Sequence, residues 1–173
     1  DSLDTGKWNI DTGDGCPDLC GWGNAEQQVY SADNITVADG TLTIQGRQEA
    51  DGTYTSARIN TKGKFDFRYG KVEVGARLPT GQGTWPAIWM LGTNRSELGW
   101  PACGEIDIME FRGQETQTIH GSVHGPGYSG CCPVTETFDL QNGRFDAKFY
   151  NYSVEWGEDY IDFFVNGIPY QRV

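Results

Sequence analysis

Gly104-Glu105-Ile106-Asp107-Ile108-Met109-Glu110-Phe111 sets three carboxylates within six residues of an otherwise apolar run. Side chains alternate along a strand, so Glu105 and Asp107 share one face while Ile106 and Ile108 take the other. Strict alternation would place Met109 beside the two acids and turn Glu110 away. A β-bulge, in which two residues oppose one on the neighbouring strand, returns Glu110 to the acidic face. Three like charges side by side repel. A solvated acidic face is the plain alternative; chemistry is the better reason to tolerate the cost.

Cleavage of a glycosidic bond needs one protonated carboxyl for the leaving oxygen and one ionised carboxylate at the anomeric carbon or on a water. In the retaining version the two lie roughly 5–5.5 Å apart. Positions i, i+2 and i+4 on one strand face are about 6–7 and 13 Å apart at Cα. Flexible Glu side chains at the outer two positions can close that gap with Asp107 between them. A shared proton there is expected to raise the pKa of a neighbouring carboxyl.

The rest of the chain reads as strands. Ile35 and Val37 lead into Asp39-Gly40, after which Leu42 and Ile44 alternate with threonines. Phe65 and Phe67 alternate with charged residues, and Lys71 to Leu78 repeats the pattern. Further runs cover Ile119 to His124, Phe149 to Trp156 and Tyr160 to Val165, with Asn166-Gly167 as a hairpin turn. Helical periodicity is nearly absent, and many short strands with Gly-rich turns predict an all-β sandwich or jelly roll.

The chain has 173 residues, the size of one domain. Its 24 acidic and 13 basic side chains give a net charge of −11. With no basic run, nucleic acid is excluded as an expected partner and anionic polysaccharides are disfavoured, which leaves neutral glycans. No apolar stretch is long enough to span a bilayer, so no membrane partner is expected. Five cysteines, Cys16, Cys20, Cys103, Cys131 and Cys132, suggest an oxidising, secreted setting. Cys16 and Cys20 are close enough to staple their loop, and the odd count leaves at least one thiol over. The cysteine spacing suits zinc poorly. Asn34, Asn94 and Asn151 begin Asn-x-Ser/Thr sequons.

Three of the six tryptophans flank the acidic run. Trp85 and Trp89 read as one face of a strand in Thr84-Trp85-Pro86-Ala87-Ile88-Trp89-Met90-Leu91, and Trp100-Pro101 precedes the acids. Sugar rings stack their C–H faces on aromatic rings, so this cluster suits a glycan, although Trp also fills cores. His120, Ser122 and His124 fall on one face of the following strand, where a histidine can tune an acid or serve structure.

These segments together resemble glycoside hydrolase family sixteen. The resemblance rests on Glu-Ile-Asp-Ile-Met-Glu, Thr-Trp-Pro-Ala-Ile-Trp-Met-Leu, and Gly-Trp-Gly-Asn-Ala-Glu-Gln at 21–27. Thr-Ser-Ala-Arg at 55–58, Gly-Lys-Val-Glu-Val-Gly-Ala-Arg-Leu-Pro at 70–79 and Phe-Phe-Val-Asn-Gly at 163–167 add to it. The acidic motif with its extra Met resembles the laminarinase branch, and the version without it resembles lichenases.

The resemblance implies an all-β jelly-roll sandwich of two curved antiparallel sheets with a concave glycan-binding cleft. It also implies a retaining endo-β-1,3-glucanase. By position, Glu105 matches the nucleophile, Glu110 the acid/base and Asp107 the residue between them. Asn24, Arg58, Trp85, Trp89 and Trp100 match positions lining the cleft, and His124 one near the acid/base. Residues 1–173 are expected to form a single hydrolase domain that lacks the family's first strand and its C-terminal strands. No cofactor is required for the chemistry, and the family's structural calcium cannot be assigned from this chain. A neutral β-glucan is the expected partner of a monomer, secreted or extracellular. The alternatives are a non-catalytic β-glucan-binding module, or a hydrolase or transglycosylase of the same fold acting on mixed-linkage glucan, agar, carrageenan or xyloglucan.

Overall fold

Left-handed backbone at Asn166 (φ 49°) and Gly167 (φ 76°) turns one strand back on the next, the hairpin geometry that an Asn-Gly pair favours. Asp39 and Gly40 do the same near the start of the chain. Turns of this kind organise the computed structural model, which describes residues 2–173. The chain forms two compact units, one ending at Asp66 and the other running Phe67–Val173.

The first unit holds seven short strands: β1 (Asn9–Asp11), β2 (Gln28–Tyr30), β3 (Ile35–Ala38), β4 (Thr41–Ile44), β5 (Arg47–Gln48), β6 (Tyr54–Ser56) and β7 (Arg58–Asn60). β1 pairs with β7 and β3 with β4, both antiparallel, while β6 pairs antiparallel with β5 and parallel with β2. The parallel pair departs from the all-antiparallel expectation. Its partners are far apart in sequence, so no turn signal announces it. Cys16 and Cys20 form the expected disulfide.

Asn34 is 2% exposed and donates through Nδ2 to Gln45 O (2.7 Å) and Thr55 Oγ1 (3.0 Å). Its sequon is therefore not an available glycan acceptor in the folded chain, whereas Asn151 is exposed.

The second unit is a sandwich. One sheet runs β12-β11-β10-β9, with β9 (Ala87–Leu91), β10 (Glu105–Phe111), β11 (Thr118–His124) and β12 (Val134–Asp139). The other runs β15-β14-β13-β8, with β8 (Gly70–Ala76), β13 (Tyr150–Trp156), β14 (Ile161–Val165) and β15 (Ile168–Arg172). All pairings in both sheets are antiparallel. A single helical turn, α1 (Arg95–Leu98), interrupts the strands.

Ile108, Met109, Phe111, Ile119 and Val123 of the first sheet pack with Tyr152, Val154, Phe163 and Val165 of the second in one core. Each such side chain contributes roughly 1.5–3 kcal/mol by leaving water. Three of them sit on β10 itself, which offsets the repulsion among its acids. The all-β sandwich expected from strand spacing is the fold found.

Phe65 and Phe67 are a correction. The predicted strand there is absent: residues 62–69 form turns and irregular chain, with left-handed backbone at Gly63 and Tyr69. Alternation alone does not make a strand: Phe65 N donates to Thr61 O at 3.0 Å within a turn, and the Phe67 ring packs edge-on against Trp156 at 6.2 Å.

Candidate active site

The bulge lies where three acids on one face demand it. On the β11 side Asp107 pairs with Ser122 and Glu110 with His120, so Ile108 and Met109 together face the single residue Gly121. On the β9 side the register shifts between Asp107 and Met109. Ile108 and Met109 both turn into the core, 2% and 1% exposed, and Glu110 returns to the acidic face. Gly121 fits this point because a methyl group there would run into the Tyr170 hydroxyl and the Phe163 ring.

The strand on the other side completes the face. Glu105 pairs with His124, Asp107 with Ser122 and Glu110 with His120, so three polar residues of β11 stand opposite the three acids. Ser122 Oγ contacts Glu110 Oε2 at 3.4 Å and accepts from Thr135 Oγ1 at 2.9 Å. His120 Nε2 lies 3.7 Å from Glu115 Oε2.

Tryptophans grip the outer carboxylates. Trp100 Nε1 donates to Glu105 Oε2 at 2.7 Å, and Trp85 Nε1 donates to Glu110 Oε1 at 3.0 Å. Both rings remain exposed, as does Trp89, which pairs with Asp107 on β9. Trp85 sits two residues before β9 rather than within it, which corrects the expectation of a shared strand face. The Trp100 ring lies 5.9 Å from the His124 ring.

Asp107 is the buried member, 4% exposed. Burial, then the charges of Glu105 and Glu110, and a hydrogen bond to Glu105 push its pKa up to about 9. The raised group is thus Asp107 itself, where the expectation was a raised pKa on its neighbour. His124 Nε2 lies 3.1 Å from Asp107 Oδ2, and this pair forms no aligned hydrogen bond.

An acid whose pKa is higher folded than unfolded loses its contribution to stability across the range where only the unfolded chain ionises it, and the loss is complete above the folded pKa. The contribution of Asp107 should therefore be fullest below about pH 3.9 and fall as pH rises toward 9. Asp107→Asn removes that dependence while keeping a neutral side chain. Thermal melts should show the variant gaining on the parent steadily from pH 4 to pH 9. A constant gap across that range would mean Asp107 is not the proton carrier.

Glu105, Asp107 and His124 also form a group whose ligand atoms lie within 4.8 Å of one another. A cation there would tie up two of the three carboxylates. Asn24 and Arg58 belong to the first unit. Asn24 Nδ2 donates to Glu26 at 3.4 Å, and Arg58 Nε bonds Asp11 at 2.6 Å with its guanidinium 3.8 Å over the Trp22 ring. Trp22, Asp11 and Thr135 were not singled out from the sequence. The last two are polar partners fixed only by strand pairing.

The strand face thus offers three acids, two of them under indole N–H groups. Residues 23–173 match the family described as Glycosyl hydrolases family 16, and the chain belongs to that family. It is similar to glucan endo-1,3-beta-glucosidase A1 of Niallia circulans, 39% identical over 99% of this chain and 28% of that protein. It is 36% identical to a beta-1,3-glucan-binding protein of Penaeus monodon, over 66% of this chain and 34% of that protein. The chain thus spans about a third or less of the length of these two relatives. The laminarinase catalytic domain of Thermotoga maritima superposes with a TM-score of 0.93 at 43% identity, covering 100% of this chain and 72% of that structure.

Proposed function

We propose that the chain hydrolyses β-1,3-glucan within the polymer, with retention of configuration, through Glu105 and Glu110. The observation that carries the reading is the bulged β10 strand, which sets both glutamates on one face with the buried Asp107 between them. The similarity to proteins named as 1,3-glucanases and laminarinases supports the choice of glucan.

Glu105 is the acceptor of two donors, the Trp100 N–H and the Asp107 hydroxyl. With the local proton held on Asp107, Glu105 is the carboxylate suited to attack the anomeric carbon. Glu110 then gives its proton to the departing glucosyl oxygen. The resulting ester is hydrolysed when Glu110 takes a proton from water, which attacks from the face the leaving group vacated. Asp107 keeps its proton throughout and steadies Glu105 as it is released. Trp85, Trp89 and Trp100 offer exposed rings for the apolar faces of glucose units. The Cys16–Cys20 disulfide supports an extracellular setting.

Proton NMR during laminarin digestion is the test. Early β-anomer at new reducing ends is the expected outcome, and early α-anomer would overturn the double displacement. No new reducing ends with tight laminarin binding would favour a glucan-binding module, in line with the relative of that name. Cleavage of mixed-linkage glucan, agar, carrageenan or xyloglucan in preference to laminarin would move the reading to another substrate on the same chemistry.

A further inference from the structure

Ser122 sits on β11 between His120 and His124, and strand pairing sets it beside Asp107 on one side and Thr135 of β12 on the other. The residue is buried, 2% exposed. Its hydroxyl works in both directions: Thr135 Oγ1 donates to it at 2.9 Å, and it donates to Glu110 Oε2 at 3.4 Å. The reach to Glu110 depends on the bulge, which turns Ile108 and Met109 into the core and makes Glu110 the next acid after Asp107 on that face. A serine hydroxyl carries a single hydrogen. Because Ser122 Oγ accepts from Thr135, that hydrogen is turned away from Thr135 and toward Glu110. The direction of the Ser122 hydroxyl is therefore set from the neighbouring strand.

The two oxygens of Glu110 are held unequally. Oε1 accepts from Trp85 Nε1 at 3.0 Å, an ordinary length for an N–H···O bond, whereas 3.4 Å is long for O–H···O. Oε2 is the looser oxygen and so the one free to carry a proton toward a leaving group. Loss of that proton leaves negative charge on Oε2, and hydroxyl bonds to a charged oxygen close to about 2.5–2.7 Å. A contact that is long at rest and tightens as charge develops favours the transition state over the bound substrate.

We propose that Ser122, aimed by Thr135, is a positioning residue that donates to the charge developing on Glu110 as Glu110 protonates the leaving oxygen. The inference rests on the proposed role of Glu110 as the acid. In that step the proton passes from Glu110 Oε2 to the glucosyl oxygen. The glycosidic C–O bond breaks with its electron pair going to that oxygen, and the Glu105 carboxylate bonds the anomeric carbon. Ser122 and Thr135 keep their own protons.

The test compares Ser122→Ala, Thr135→Val and Thr135→Ser with the parent on two substrates. Laminarin oligosaccharides release a sugar hydroxyl, which needs the proton; a dinitrophenyl β-laminaribioside releases a phenolate, which needs none. The ratio kcat/KM reads the steps up to formation of the glycosyl ester in both cases. Ser122→Ala should lose roughly ten- to a hundredfold on the oligosaccharides and stay within about twofold on the aryl glycoside, the scale of one hydrogen bond to a charged group. Thr135→Val keeps the shape without the donor, and should show the same pattern at roughly three- to tenfold, the scale of a neutral hydrogen bond. Thr135→Ser keeps the hydroxyl and should match the parent.

Equal losses on the two substrates would mean that these residues only hold the strands together, which overturns the role. Parent-like rates on the oligosaccharides in Thr135→Val would overturn it as well. Thr135 is exposed on the last strand of its sheet, so its two variants decide the question even if the buried Ser122→Ala fails to fold. A parent chain that cleaves neither substrate overturns the proposed hydrolase and this role together, whereas an active parent with indifferent variants overturns this role alone.

Discussion

Glu105→Ser should lower laminarin turnover by at least about 10⁴-fold, on the scale of losing a catalytic nucleophile. Serine is too short to reach the anomeric carbon and forms no glycosyl ester. Glucan affinity should stay within about threefold, because the exposed rings of Trp85, which bonds Glu110, and Trp89, which pairs with Asp107, are untouched. A fall in kcat without a matching rise in KM is the signature of a group that acts in the transition state alone. Initial rates of reducing-end formation and calorimetric titration with laminarin oligosaccharides read the two quantities separately. Full activity in the variant would remove Glu105 from the chemistry altogether.

Changing the length of β10 should produce two different results. Deleting Met109 leaves Glu105, Ile106, Asp107, Ile108 and Glu110 in strict alternation, so the bulge is no longer needed and all three acids still share a face. The cost is the buried methionine side chain, about 2–5 kcal/mol by analogy with large-to-small core changes, and a small displacement of Glu110. Displacement of about 1 Å costs on the order of 100-fold in rate, so a weakened but active protein is expected. Inserting one alanine after Met109 also gives an even spacing, so Glu110 keeps the acidic face without a bulge, but Met109 leaves the core for that face and Glu110 stands about 6–7 Å further along the strand. That variant should retain no activity, because the two glutamates no longer meet across one glycosidic bond. Chemical denaturation and turnover, measured on both variants, check the pair. Equal loss of turnover in both would mean that the spacing of Glu105 and Glu110 does not set the rate.

That contrast shows what could be read before any coordinates. The need for a bulge followed from three acids and a two-residue period, and the structure places the extra residue at Ile108–Met109. The facing set His120, Ser122 and His124 followed from the same period, and the Asn166-Gly167 and Asp39-Gly40 turns from local backbone preference. Tertiary information was not accessible in that way. Closeness in sequence sets Trp85 and Trp100 near the acidic run but does not tell that their N–H groups reach Glu110 and Glu105. The parallel pairing of β2 with β6 and the Thr135–Ser122 bond join residues with no local signal between them. Phe65 and Phe67 mimicked a strand because charge alternation in a turn region has the same period as a half-buried edge. The location of the proton on Asp107 needed burial, which a motif does not carry.

The interior position of Asn34 bears on how the protein can be produced. A eukaryotic secretory host modifies a nascent chain before its tertiary contacts exist, when an Asn-Ile-Thr segment is still open to the transferase. A glycan attached then would have to occupy the space where the Asn34 amide meets Gln45 and Thr55, and the first unit could not close around it. Yield in such a host would be limited by competition between oligosaccharide transfer and folding. Thr36 is exposed, so Thr36→Val would erase the transferase signal while leaving the Asn34 amide in place.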